Sequence, residues 1–362
     1  MKNMEAAYLE RPGKIVVRRI PIPSIEENEV LVRVARCGVC MTDVHMYKGS
    51  FPVKMPVILG HEFSGTIKKV GEKVTSYANL TGQIPIKIGD RVSAIPIINC
   101  GLCPACLRGK SNLCESVQAV GGAGEIVNNG AFAQYIKLPA PILYKLPDNL
   151  SYTIGAFIEV TACCLHGIDL SRIKLGDSVL LIGAGTVGLL LLELIKFQGP
   201  SQIIVSEGIS ERRKLAKARG ADFVIDPMRT DPVNEVKEIT SGQGADVVIE
   251  AVGSPQTTEQ AIQMAKKGGI VNIFGVADTK AFSQIKPFDI YFRELTVVGT
   301  YAVTLDTFNR AAKLLASGRL GIDYLLTEEL PLYELRKAIE MMKKKKGLKK
   351  QIVMLKESGR IF

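Results

Sequence analysis

The rhythm of hydrophobic and polar positions changes near residue 176. Before it, short segments alternate with period two, as Val30, Val32 and Val34 do in EVLVRVARCGVC. EFSGTIKKVGEKV and GDRVSAIPII look similar, with Gly and Pro between them. Such alternation turns one side of a strand to a core and the other to water. The first 150 or so residues therefore predict an antiparallel, barrel-like β domain of half-buried strands with a few connecting helices.

Beyond residue 176, apolar runs ending in glycine alternate with amphipathic stretches. SVLLIGAG precedes the helical TVGLLLLELIKFQG, with Gly199 as its C-cap. Strand-like IIVSE, DFVID, ADVVIEAVG, GIVNIFG and LTVVGTY follow, separated by SERRKLAKARG, VNEVKEIT and TTEQAIQMAKKG. Strands alternating with helices predict a parallel sheet wound on both faces, and six strands complete a Rossmann dinucleotide-binding domain. The fold class is thus α/β. The C-terminal residues, including the helical FNRAAKLLASG, are expected to rejoin the first domain.

Gly183-Ala184-Gly185-Thr186-Val187-Gly188 fits G-x-G-x-x-G, directly after a predicted strand and opening a helix. The first glycine permits the tight turn, the second lets the backbone approach a pyrophosphate, and the third lets helix and strand pack closely. The helix N-terminus presents free N–H groups to the phosphates. Glu207 ends the second strand 24 residues after Gly183, where an acid binds the adenosine ribose hydroxyls. Its charge would repel a 2′-phosphate, so NAD(H) is expected over NADP(H). Arg212 and Arg213 are candidates for stacking on adenine or binding that phosphate, against the alternative of a solvated helix face.

At 362 residues the chain has the length of about two domains. With 47% apolar and 23% charged residues it is neither disordered nor fibrous. The net charge of +10 raises the question of an anionic partner. Six of the positive charges, Lys343 to Lys346, Lys349 and Lys350, fall in MMKKKKGLKKQIVML and read as a solvated helix end and turn before a final strand. No nucleic-acid partner is needed to explain them. The N-terminus carries scattered charges and no apolar signal segment, and the uncharged stretches Val92 to Leu107 and Ser178 to Leu192 are too short and too broken to span a membrane. A cytoplasmic protein is expected, its cysteines thiols or metal ligands rather than disulfides.

Half of the eight cysteines, Cys100, Cys103, Cys106 and Cys114, form C-x2-C-x2-C-x7-C. Four thiolates can close a tetrahedral shell around zinc and leave no open position, which makes such a site structural. A zinc ribbon on nucleic acid and an iron–sulfur cluster are the alternatives, the former weakened because only Arg108 and Lys110 lie between the ligands. A second constellation is dispersed: Cys40, Thr42, Asp43 and His45 in CMTDVH, and His61 and Glu62 in LGHEFSG. One thiolate, one imidazole and nearby carboxylates make the incomplete shell that a catalytic zinc requires.

With these motifs in order, the sequence resembles the zinc-containing medium-chain dehydrogenases, the group of alcohol, sorbitol and threonine dehydrogenases. CGVCMTDVH is similar to the family's C-G-[IV]-C-x-[ST]-D-x-H, and LGHEFSG to its G-H-E-x-x-G. The resemblance implies a GroES-like β-barrel catalytic domain at residues 1–160 and 302–362, with a structural zinc lobe at about 98–116 and the Rossmann domain at 161–301. It implies Cys40 and His61 as ligands of a catalytic zinc, with Cys37 a buried apolar residue. Glu159 in AFIEVTACCLHG is the expected third ligand, although Val160 departs from the usual proline and Cys163 and Cys164 lie close by. Glu62 is expected to join the shell in place of water.

The implied reaction is reversible oxidation of a secondary alcohol or polyol to a carbonyl, with hydride passing to NAD. L-Threonine and primary alcohols are the alternative substrates. Thr42 would take the alcohol proton, the ribose hydroxyls of the cofactor would pass it toward His45, and Asp43 would orient His61. Two zinc ions per chain and a homodimer or homotetramer are expected on the same ground. A zinc-free quinone or enoyl reductase on this fold is disfavoured by Cys40, His61 and Glu159. TSYANLTGQIPIKIGDRV, from Thr75 to Val92, is read as a surface loop insertion.

Overall fold

The computed structural model describes residues 2–74, 86–122 and 127–355. The chain divides into two compact units, one of Met1–Ala162 with Val303–Phe362 and one of Cys163–Ala302. The helix Ile158–Ser171 carries the chain from the first to the second.

The strand Glu29–Gly38 is central to the first unit. One of its edges pairs antiparallel with Glu62–Val70. The other edge is shared: Tyr135–Pro139 pairs with Glu29 to Arg33, and Lys349–Val353 pairs with Arg36 to Gly38. Arg91–Ala94 and then Leu143–Lys145 extend the sheet on one side, and Leu326–Pro331 on the other, giving seven strands. A three-stranded sheet of Lys14–Pro21, Asn3–Arg11 and Val57–Ile58 completes the β architecture together with a short pair, Ile97–Ile98 and Gln118–Ala119.

The alternation at Val30, Val32 and Val34 marks core positions, but Glu29–Gly38 is not half-buried. Leu31 and Ala35, on the opposite face, are buried as fully as the three valines. Flanked on both edges and covered on both faces over most of its length, the strand is partly exposed only at Glu29 and Arg33. Residues 75–85 of the predicted loop insertion lie outside the described residues, and Ile86 just after them packs into the core.

The lysine-rich run is also only partly solvated. Lys343 to Lys346 are exposed at the end of the helix Leu335–Lys343, as its charge pattern predicts. Lys349 and Lys350, in contrast, lie within the strand Lys349–Val353 and are 2% and 0% exposed. Strand pairing on both edges draws them in, and each ammonium finds a partner there. Lys350 Nζ donates to the carbonyls of Leu348, at 2.8 Å, and of Lys346. Lys349 Nζ meets the Glu62 carboxylate.

The second unit is a six-stranded parallel sheet in the order Phe223–Ile225, Gln202–Ser206, Ser178–Ile182, Ala245–Glu250, Ala265–Ile273, Thr296–Gly299. This is the 3-2-1-4-5-6 order of dinucleotide-binding domains, with the reversal between Ser178–Ile182 and Ala245–Glu250. Ser178–Ile182 is buried along its whole length, as a strand covered on both faces must be. No described helix is long and apolar enough to cross a membrane.

Candidate active site and metal centres

The short helix Met41–Lys48 follows Cys40, its N-cap residue. Asp43, three residues on, reaches back so that its Oδ2 accepts from Cys40 N at 2.8 Å, satisfying one of the amides left open at a helix start. That bond holds the Cys40 backbone at the helix start. On the neighbouring chain segment, strand pairing of Gly38 with Glu62 brings His61 and Glu62 alongside. The Cys40 sulfur, a His61 ring nitrogen and a Glu62 carboxylate oxygen all lie within 4.8 Å of one another.

The remaining predicted residues stand around this trio. Thr42 Oγ1 lies 3.6 Å from Cys40 Sγ. His45, one helical turn further, has Nδ1 3.2 Å from Ser50 Oγ. Glu159 opens the helix Ile158–Ser171 and is buried, outside the 4.8 Å cluster. Its carboxylate nevertheless acts on both His61 and Lys349, raising the pKa of each. Burial alone would lower the His61 pKa, but the Cys40 sulfur and the carboxylates of Asp43 and Glu159 overcome it and hold the imidazole well above its ordinary value. Cys37 is fully buried, and burial pushes its thiol well up, the state of an inert apolar side chain.

These residues fit a zinc ion. Sulfur, imidazole and carboxylate oxygen are its donor set, and fewer than four protein ligands leave room for a substrate. The Asp43 Oδ1 atom is buried with no hydrogen-bond partner and lies 3.9 Å from His61 Nδ1. It faces the imidazole from the side on which a carboxylate stands behind a metal-bound histidine.

The four-cysteine lobe fits a second ion. Its four sulfurs also lie within 4.8 Å of one another, and Cys100 Sγ and Cys114 Sγ are 3.6 Å apart. Tetrahedral coordination at ordinary Zn–S lengths separates sulfurs by about 3.8 Å. Backbone amides of Leu102 and Cys103 point at Cys100 Sγ, and Cys100 N points at Cys114 Sγ, stabilising negative sulfur. Backbone N–H groups of Cys106 and Glu115 hold the Cys103 thiol down to about 6.

In the second unit the glycine loop has the predicted geometry. Gly183 adopts φ +96°, a conformation that side chains rarely take. A Cβ on Gly188 would come within 2.1 Å of the Gly183 carbonyl oxygen, so only glycine permits this approach of helix to strand. Gly185 caps the helix Thr186–Lys196, and no side chain occupies its first-turn amides. Thr186 and Val187 are the first two residues of that helix. The Glu207 carboxylate is held by Ala184 N at 2.7 Å and Ile209 N at 2.8 Å. Arg213 is committed inward, to Glu207 O and to Asp226. Arg212 lies beside Gly185 and within the field of Glu207.

Two functional side chains escaped sequence reasoning. Lys349 is the buried counter-charge of Glu62, and only the strand pairing reveals it. Glu250 ends the strand Ala245–Glu250 at the reversal point, and its Oε1 accepts from Val252 N, Gly253 N and Thr257 Oγ1 at 2.8 to 2.9 Å. The Ala251–Val252 turn that it anchors packs on Gly183. An acid closing an apolar strand was the available signal.

Such a pairing of a metal-binding β unit with a dinucleotide-binding sheet defines a metal-dependent dehydrogenase. Residues 26–148 match the alcohol dehydrogenase GroES-like domain, and residues 186–317 match the zinc-binding dehydrogenase domain. D-arabinitol dehydrogenase 1 of Uromyces fabae is 34% identical over 96% of this chain and 96% of its own. L-threonine 3-dehydrogenase of Bacillus licheniformis is 33% identical over 94% and 96%. A solved structure from Sinorhizobium meliloti 1021, holding NADP, superposes with a TM-score of 0.86 at 36% identity, covering 98% of this chain and 100% of that one. The chain belongs to the zinc-containing medium-chain dehydrogenase family.

The Glu62–Lys349 pair gives a test of the site's electrostatics. Lys349→Met leaves a buried carboxylate without its counter-charge and is expected to cost about 3–5 kcal/mol in urea unfolding of the zinc-stripped chain. Lys349→Arg, which keeps the charge, should recover most of the loss.

Proposed function

We propose that this protein oxidises secondary alcohols or polyols reversibly to carbonyl compounds with NAD. The observation that carries the proposal is the convergence of Cys40, His61 and Glu62 within 4.8 Å, with Thr42 beside the sulfur. Cys40, His61 and Glu159 are assigned to a catalytic zinc, with Glu62 as a fourth donor that would stand in place of water and give way to the alcohol, and the four-cysteine lobe to a structural one. When bound, zinc supplies Lewis-acid polarisation of the alcohol oxygen, and the dinucleotide supplies the hydride acceptor.

The protein's own residues do the rest. Thr42 Oγ1 stands at the metal site and accepts the alcohol proton. His45, on the same helix face one turn on, receives it, and Ser50 fixes the ring. Asp43 holds His61 in the tautomer needed for ligation. Lys349 lets a second carboxylate, Glu62, sit buried beside the site without the cost of an unpaired charge. The glycine loop and the first turn of Thr186–Lys196 take the pyrophosphate, and Glu207 takes the ribose hydroxyls.

Zinc analysis should find about two ions per chain in the wild type and about one in Cys40→Ala. Turnover of the variant should fall roughly a thousandfold while it still binds NADH. Full activity in a Cys40→Ala chain lacking one zinc would overturn the site.

The substrate reading rests on glutamate at position 159 and on the arabinitol relative; the threonine relative supports L-threonine as the second reading. A panel of polyols, secondary and primary alcohols and L-threonine, each with NAD and NADP, separates them. Secondary alcohols or polyols should give the highest kcat/KM. NAD should be preferred about tenfold or more, because the fixed Glu207 carboxylate meets the 2′-phosphate of NADP. Equal use of both cofactors would show that Arg212 offsets Glu207.

We further propose a homo-oligomer in the cytoplasm. None of the eight cysteines is in a disulfide, and four of them cluster as candidate ligands, which suits a reducing compartment. The edge strand Thr296–Gly299 and the neighbouring helix Pro287–Phe292, with Phe288, Tyr291 and Phe292 all more than half exposed, offer a face for a second copy. Sedimentation at micromolar concentration should give a dimer or tetramer, and a monomer would refute this.

A further inference from the structure

The first unit contains a second polar cleft that the dehydrogenase chemistry does not use. It lies where the strand Glu29–Gly38 exchanges one neighbour for another. Tyr135–Pro139 pairs with it only as far as Arg33, and Lys349–Val353 takes over at Arg36. The backbone is satisfied on both sides of the fork, by Val34 N to Gln134 O at 3.0 Å and Met354 N to Ala35 O at 2.9 Å. The opening is therefore built into the sheet rather than left by a missing contact. Lys2, Arg19, Arg33, Gln134 and Tyr135 line a space of about 400 Å³, with Ile22, Val34 and Met354 as its apolar wall.

Two cations thus come from consecutive strands and a third, Lys2, from the residue just before Asn3–Arg11, and no carboxylate lines the cleft among the described residues. None of the three makes an ion pair or side-chain hydrogen bond among the described residues, although many other lysines and arginines of this chain do. Arg33 is the telling one, because it is partly buried in the middle of a sheet, where an unpaired guanidinium is costly. Glu5, across the strand pair from Arg19, is exposed and does not pair with it. Gln134 Oε1 accepts from Glu5 N at 3.0 Å, which fixes the amide and leaves its NH2 group as a further donor.

We propose that this cleft binds a small organic phosphate. Two guanidinium forks match the oxygens of a phosphate dianion, Lys2 adds a third charge, and the Gln134 amide and Tyr135 hydroxyl donate to the remaining lone pairs. The apolar wall takes the organic part, and the volume is that of an ordinary small-molecule site. Arg33 is five residues along an extended strand from Gly38, about 16 Å, so the cleft is distinct from the Cys40–His61–Glu62 centre.

Calorimetry of the zinc-loaded, NADH-saturated protein with phenyl phosphate tests this. Phenyl phosphate carries a dianion on an apolar body, has no alcohol to oxidise, and can be compared with benzenesulfonate, similar in shape but with one charge. One saturable site per chain is expected, with benzenesulfonate weaker and affinity falling as salt rises. Arg33→Gln should weaken binding about tenfold, and the exposed Arg19→Gln severalfold, both with turnover retained. Arg336→Gln, the same loss of charge at an exposed position outside the cleft, should leave affinity unchanged. Absence of saturable binding, equal binding of the two probes, or equal weakening by Arg33→Gln and Arg336→Gln would overturn the proposal. Should Arg33→Gln fail to fold, Arg19→Gln against Arg336→Gln decides it.

Discussion

The pairing of Gly38 with Glu62 is the constraint on which the metal centre depends. It joins the strand that leads into Cys40 to the strand that begins just after His61, so one register places sulfur, imidazole and carboxylate together. A slip of one residue would turn Glu62 to the other face of the sheet. Glycine at the crossing leaves room for the buried ion pair. A Cβ at position 38 would come within 2.2 Å of the Glu62 carboxylate and 2.9 Å of the Lys349 side chain. The buried ion pair of Glu62 with Lys349 and the absence of a side chain at Gly38 are thus two sides of one packing solution.

Around that crossing, single residues serve both folding and chemistry. One oxygen of Asp43 closes the start of a helix, and the other faces His61. The local motif C-x-x-D thus closes a helix start and places a carboxylate beside the imidazole of the candidate metal site. Charge is handled the same way. Burial would neutralise each ionisable group here in isolation, but together the sulfur, carboxylates, imidazole and ammonium offset one another.

The dinucleotide unit reaches its geometry by close approach of backbone. Gly188 is pressed against Gly183, Gly183 against the Ala251–Val252 turn, and that turn is tied down by Glu250. The Glu207 carboxylate is locked by two amides, so it presents its charge in one place.

The parallel sheet, the glycine loop, the four-cysteine lobe and the local halves of the candidate metal centre, CMTDVH and LGHEFSG, are legible in the sequence. These are short-range patterns: a period, a turn, a spacing of ligands on one loop. The assembled fold alone shows that Lys349 leaves a lysine-rich run to neutralise Glu62, that Glu29–Gly38 is covered on both faces except at Glu29 and Arg33, and that Arg33 lines a cleft at a fork in the sheet. Each of these depends on partners more than 100 residues away along the chain, brought in by strand pairing. Hydropathy reads a lysine as solvated until the strands on either side of it are known, because burial belongs to the assembled sheet and not to the residue.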